Sequence, residues 1–125
     1  MKRELPGNLF KRLYRNTIHS LNGLKTLFKE EKSTLLVLLY ACLALLGCVF
    51  WQVSFKEYFI LGICFLMILA TELLNTAIEN TVDLVTNRYH ELAKRAKDQG
   101  SAATFVVVLI TFLIMIYLFY PYIMR

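Results

Sequence analysis

Four polar residues recur at helical spacing in the stretch ATELLNTAIENTVDL: Glu72, Asn75, Glu79 and Asp83. At 3.6 residues per turn their side chains fall within an arc of about 80° on one helix face. Leu73, Ala77, Ile78 and Leu84 occupy the rest of the wheel. Carboxylates in such a row suit two tasks, binding a cation and taking a proton from a hydroxyl. Glu72 and Glu79 stand about 10 Å apart along the axis. A cluster that only ties helices together would also present polar groups at this spacing. Four members beside a strongly charged segment favour chemistry.

That segment, RYHELAKRAKDQGSAA from Arg88 to Ala103, reads as a loop. Arg88, Lys94, Arg95 and Lys97 can neutralise phosphate. Basic loops also set membrane topology, which accounts for part of the charge but not for its mixing with acids. His90 suits either a nucleotide contact or plain surface, and His19, much earlier in the chain, reads as interfacial. Glu30 and Glu31 are placed so that one can approach Glu79 and share a cation. Magnesium keeps several waters and needs only one or two carboxylates besides substrate phosphates. The glycines Gly7, Gly23, Gly47, Gly62 and Gly100 are scattered, and neither a P-loop nor a kinase Gly-rich loop is present.

The elements that must hold these residues are apolar. The chain has 125 residues, 58% hydrophobic and 18% charged, with a mean hydropathy of +0.54. Soluble domains run at about 45–50% apolar and about 25% charged. Thr34–Trp51 and Ser101–Met124 carry no charged residue, and Tyr58–Ala70 continues as a helical pattern past Glu72. A hydrocarbon core of ~30 Å takes about 20 such residues. The expectation is one all-α, integral membrane domain with spans at 33–52, 57–86 and 101–124 and a cytoplasmic loop at 87–100. A carboxylate at the depth of Glu72 costs at least ~2.5–3.5 kcal/mol unless it faces protein, water or a cation.

Residues 1–32 read as an amphipathic surface helix. Pro6-Gly7-Asn8 suits a turn with Asn8 as N-cap. Phe10, Leu13, Tyr14, Thr17, Ile18, Leu21, Leu24 and Phe28 then recur at helical spacing, with Lys11, Arg12, Arg15 and Lys25 largely elsewhere. The basic start lacks the apolar core and cleavage site of a signal peptide, so none is expected. The net charge of +5 is decided by its placement. Twelve of the fourteen basic residues lie before the first span or between the second and third. The positive-inside rule makes both segments cytoplasmic and the C-terminus outer. Phe50, Trp51, Phe55, Tyr58 and Phe59, and separately Tyr117, Tyr120 and Tyr122, suit interfacial belts. Cys42, Cys48 and Cys64 all sit in apolar runs, as buried small hydrophobes do, and no disulfide framework is expected.

ELLNTAIENTVDL (Glu72–Leu84) together with YHELAKRAKDQGSAA (Tyr89–Ala103) resembles the prokaryotic diacylglycerol kinase family, which includes undecaprenol kinases. The resemblance covers nearly the whole chain. It implies a homotrimer in a bacterial inner membrane, with composite sites between subunits, binding a membrane lipid and Mg²⁺-ATP and no nucleic acid. Glu72 then matches the general base and Asn75 an orienting group. Glu79 and Glu31 match the metal-binding pair. Lys97 and Asp98 match the phosphate-handling pair, and Ser101 a lipid contact. Arg12, His19, Arg88, Tyr89 and His90 complete the implied nucleotide-binding set, with Glu31, Glu79, Lys97 and Asp98. Thr34 and Leu35 depart from the aromatic and Arg common in the family. Gly100-Ser101-Ala102-Ala103 resembles the diacylglycerol branch, whereas ELLNTAIENTVDL resembles the undecaprenol branch. A serine hydroxyl at 101 inclines the reading to diacylglycerol. A proton- or cation-conducting oligomer using Glu72 as a relay is the competing class. It leaves Glu79 and Asp98 without a task.

Overall fold

The computed structural model describes the backbone of residues 9–30 and 32–124 and the side chains of residues 9–29 and 35–124. The proposed turn at Pro6-Gly7-Asn8, Glu31 and the side chain of Thr34 lie outside these. The described residues form four helices and no strand: α1 (Leu9–Glu30), α2 (Lys32–Phe50), α3 (Phe55–Val85) and α4 (Glu91–Ile123). The all-α expectation therefore holds.

Among the described residues two helices, α3 and α4, are long and apolar enough to cross a membrane, and the described apolar part of α2, Leu35–Phe50, is about 24 Å of helix. The 31 residues of α3 and 33 of α4 reach about 46 and 50 Å. Both exceed a ~30 Å hydrocarbon core. The excess lies where α3 ends and α4 begins, so the polar halves of the two helices stand side by side.

The loop expected at 87–100 is helical over most of its length. Only residues 86–90 are non-helical, and α4 starts at Glu91. The segment ELAKRAKDQ lacks an apolar stripe, but Ala, Leu, Glu, Lys, Arg and Gln are strong helix formers. His90 caps it: its Nδ1 accepts from the Leu92 N–H at 3.2 Å. The connection is tightened by Thr86, whose Oγ1 accepts from the Arg88 N–H at 3.1 Å. Lys94, Lys97 and Asp98 consequently sit on a helix, at fixed heights, rather than on a loop.

The buried residues of α3 are Leu61, Cys64, Ile68 and Glu72. At 100° per residue they share an arc of about 100° with Asn75, Glu79 and Asp83. One face of α3 is thus an apolar seam in its first half and a polar stripe in its second. On α4 the buried positions are Gly100, Thr104, Thr111 and Phe119, mostly small or hydroxyl residues that let two helices approach closely in a membrane.

At the far end, α2 closes with a left-handed cap. The Val53 N–H bonds to the Cys48 carbonyl at 3.1 Å and the Gln52 N–H to Val49 at 3.3 Å, a Schellman arrangement. Cys48 and Val53 then join Leu61 and Phe119 in the buried cluster at that end, with Trp51 and Tyr122 packed against it. Gln52 holds φ at 49°, the region glycine favours. A side chain there costs about 1–2 kcal/mol, against roughly 0.5–1 kcal/mol of unfolded-state entropy that glycine would add. We expect Gln52→Gly to stabilise the protein by about 0.5–1 kcal/mol. This would be read as a higher melting temperature in detergent with unchanged activity. A melting temperature at or below that of the wild type would contradict the strain assigned to Gln52.

Of the cysteines, Cys48 and Cys64 are buried as expected, but Cys42 is exposed. Among the described side chains of α1 only Leu27 is fully buried, at 1% exposure. It lay outside the periodic set, and it anchors the helix while Phe10, Leu13, Tyr14, Ile18, Leu21 and Phe28 remain exposed. Thr17, Ser20 and Thr26 return their hydroxyls to carbonyls four residues back, at 3.0 Å each, and so remain compatible with helix.

Candidate active site

The polar stripe of α3 grades from buried to open. Glu72 is 8% exposed, Asn75 and Glu79 are half-buried, and Asp83 is exposed. Asn75 Nδ2 donates to Glu79 Oε1 at 2.9 Å, so the two middle members of the stripe orient one another. Asn75 Oδ1 points the other way, buried and without a hydrogen-bond partner among the described residues. It rests against Gly100 of α4, where a Cβ would collide with it. Gly100 therefore leaves the space between the two helices that the Asn75 amide oxygen occupies. Asn75, Ile78, Gln99 and Gly100 line a side cavity of about 380 Å³.

One turn further along, Asp83 and Lys97 join α3 to α4 through an ion pair with Nζ and Oδ1 2.6 Å apart. They line an open cavity of about 410 Å³ with Arg88, Tyr89, His90, Lys94 and Asp98. Five residues of the resemblance-based nucleotide set thus meet in one place: Arg88, Tyr89, His90, Lys97 and Asp98. The surplus of cations there, beside the N-terminus of α4, favours an anionic ligand. Tyr89 donates its hydroxyl to Glu91 at 2.8 Å. That bond, with some desolvation and the nearby Asp98, pushes the Tyr89 pKa above its ordinary value.

Other candidates are not brought to this cavity. Arg95 pairs with Glu91 at 3.3 Å on the outer side of α4 and does not line it. Arg12 and His19 are exposed on α1 and do not line it. Ser101 is exposed beside Gly100 and lines neither cavity. Glu31 lies outside the described residues. Two contributors have no site role in the sequence reading. Gly100 carried a signal, since a glycine inside a helix costs ~1 kcal/mol against Ala and calls for a packing reason. Asp83 belonged to the stripe but had no assigned task.

Among the described residues no three His, Cys, Asp or Glu side chains converge as a metal cage. The donor set still suits magnesium carried on a nucleotide, which takes one or two carboxylates and otherwise phosphate and water. Glu79 accepts a single described bond, from Asn75, and a carboxylate has about four lone-pair sites.

Comparison with known proteins shows the family of the chain. Residues 18–119 match the family model described as prokaryotic diacylglycerol kinase. A diacylglycerol kinase of Haemophilus influenzae is 38% identical over 98 residues, covering 78% of this chain and 83% of that protein. An undecaprenol kinase of Bacillus subtilis is 32% identical over 114 residues, covering 91% of this chain and 93% of that protein. A diacylglycerol kinase of Pseudomonas aeruginosa is 38% identical over 105 residues, covering 78% and 80%. The chain belongs to the prokaryotic diacylglycerol kinase family. Its activity is that of a lipid kinase, a phosphotransferase with an alcohol as acceptor.

Proposed function

We propose that this protein transfers the γ-phosphoryl group of Mg²⁺-ATP to the hydroxyl of diacylglycerol, giving phosphatidic acid, on the shared face of α3 and α4. The observation that carries this reading is the position of buried Glu72 at one end of a polar stripe whose other end opens into a cation-lined cavity. A lipid hydroxyl is accessible at membrane depth and ATP from water, and the stripe spans the two.

Glu72 is the general base: it takes the proton of the lipid hydroxyl as that oxygen attacks the γ-phosphorus. The bond from the γ-phosphorus to the bridging oxygen breaks, and ADP leaves. Such a reaction needs positioning and charge stabilisation more than covalent help. Asn75 holds Glu79 in place through its amide. Glu79, with Glu31 as the second carboxylate, would hold the magnesium, which when bound neutralises charge on phosphate oxygens. Lys97, held at Asp83 about 16 Å along α3 from Glu72, neutralises charge on the nucleotide phosphates, and Asp98 assists it. Arg88, Tyr89 and His90 contact the nucleotide, with Arg12 and His19 supplied from α1, and Ser101 contacts the lipid.

In this reading α2, α3 and α4 span the inner membrane and α1 lies in its cytoplasmic surface with its exposed apolar face in the lipid. The N-terminus and the α3–α4 connection are cytoplasmic and the C-terminus is outside. Three such subunits form a homotrimer. The open 410 Å³ cavity supports this, because α3 and α4 alone do not enclose a nucleotide. A second reading, undecaprenol as the acceptor, has its own support in the nearly full-length match to an undecaprenol kinase.

The test is transfer of label from γ-labelled ATP in mixed micelles containing either lipid, with magnesium or with excess chelator. We expect magnesium-dependent labelling of diacylglycerol at least tenfold faster than of undecaprenol. The reverse preference would assign the chain to the second reading. Labelling that survives chelation would remove the metal from the scheme.

A further inference from the structure

We propose that Asp83 is a positioning residue for the phosphoryl-transfer reaction, acting by holding the Lys97 ammonium in the nucleotide cavity. The inference rests on the site proposed above, in which Lys97 meets phosphate.

Four observations carry it. The Asp83–Lys97 pair is the described ion pair that links α3 to α4. The side chains are 36% exposed for Lys97 and 59% for Asp83, and pairs so open to water add little to stability. Both residues line the same cavity. Asp83 also lies one turn beyond Glu79 on the same face of α3, about 6 Å along the axis.

A lysine side chain is a flexible stem with a compact charge at its tip, and fixing it carries a large entropic cost. Lys97 leaves α4 facing an open cavity, where its ammonium has many solvated positions. Asp83 reduces these to one at 2.6 Å, one helical turn from the carboxylate that would bind magnesium. The nucleotide phosphates then meet a cation already in register, and less ordering remains for the reaction itself. Of the other charged groups lining the cavity, Arg88, Lys94 and Asp98, Asp98 follows Lys97 on α4. It cannot fix the gap between the helices as a group on α3 does. The last carboxylate of the stripe thus acquires a task that neither metal binding nor proton transfer requires of it.

The test is steady-state kinetics of labelled phosphate transfer in micelles for wild type, Asp83→Ala, Asp83→Glu, Lys97→Ala and the double Ala variant. Melting temperature and oligomer size are measured on the same preparations. We expect Asp83→Ala to lower kcat/KM for ATP about tenfold with an unchanged melting temperature. Asp83→Glu should recover most of that loss. In the Lys97→Ala background, Asp83→Ala should cost less than twofold further, because the group it positions is gone. Asp83→Ala within twofold of wild type would overturn the proposal. So would a loss that multiplies in full with that of Lys97→Ala, or one accompanied by a lower melting temperature, since either marks a structural role. If Lys97→Ala itself retains wild-type activity, the role of Lys97 fails first, and the site reading fails with it.

Discussion

Glu72→Gln is expected to lower the rate of phosphoryl transfer about 1,000-fold, in the range that follows removal of a general base. Glutamine has nearly the shape of glutamate and keeps hydrogen-bonding capacity, but it takes no proton at neutral pH. The position is suited to a clean result. Glu72 is 8% exposed and continues the apolar seam of Leu61, Cys64 and Ile68, so an uncharged isostere is accommodated there without desolvating a charge. The melting temperature should stay within a few degrees of the wild-type value while the rate collapses. KM for ATP should change little, because the cavity of Arg88, His90 and Lys97 is untouched. The measurement is the initial rate of lipid labelling beside thermal unfolding in the same detergent. A variant that unfolds early, or that keeps more than a tenth of the rate, would return Glu72 to a role in helix packing.

Gly100→Ala is expected to reduce the rate about 100-fold while leaving the fold in place. Two effects oppose one another in stability. Alanine gains up to ~1 kcal/mol of helix propensity over glycine, while overpacking costs about 1–3 kcal/mol. The atom that a new Cβ meets is Asn75 Oδ1, the end of a side chain rather than backbone. The amide gives way more readily than the helices separate. When it turns aside, the bond from Asn75 Nδ2 to Glu79 at 2.9 Å is lost, and Glu79 is no longer oriented. The damage thus falls on the site more than on the scaffold. Activity and melting temperature measured together check this: a large loss of rate with a shift of only a few degrees is the expected pattern. Unchanged activity would mean that the close approach of α4 at Gly100 does not orient Asn75.

These two substitutions mark how far the site was legible in the sequence. The Glu72–Asp83 stripe could be read directly, because helical periodicity places residues on a face without knowledge of any partner. For the same reason the expected second span, 57–86, differs from α3 by no more than two residues at either end. Reading failed where tertiary contact decides. The segment after His90 has no apolar stripe to display a helix, although its residues favour one, and α4 begins there rather than at 101. Gly100 looked like one scattered glycine, and only its packing against Asn75 gives it a purpose. Arg95 and Lys97 looked equivalent, two cations in one charged run. Their spacing on α4 sends Arg95 outward to Glu91 and Lys97 inward to Asp83. The family resemblance named both Lys97 and the nucleotide segment, but it did not supply the Asp83–Lys97 bond between helices.

The central claim is that the carboxylates of α3 perform the transfer from ATP to lipid. It is tested most directly by the initial rate of γ-phosphate transfer to diacylglycerol, measured side by side for wild type, Glu72→Gln and Glu79→Gln. All three should be of verified fold and oligomeric size, across a magnesium titration. The account predicts a magnesium-dependent rate in the wild type and a loss of at least 100-fold at saturating magnesium in Glu72→Gln. It further predicts that Glu79→Gln recovers part of its rate as magnesium is raised. Wild-type rates from both variants at every magnesium concentration would contradict it, and would move the chemistry off the α3 stripe.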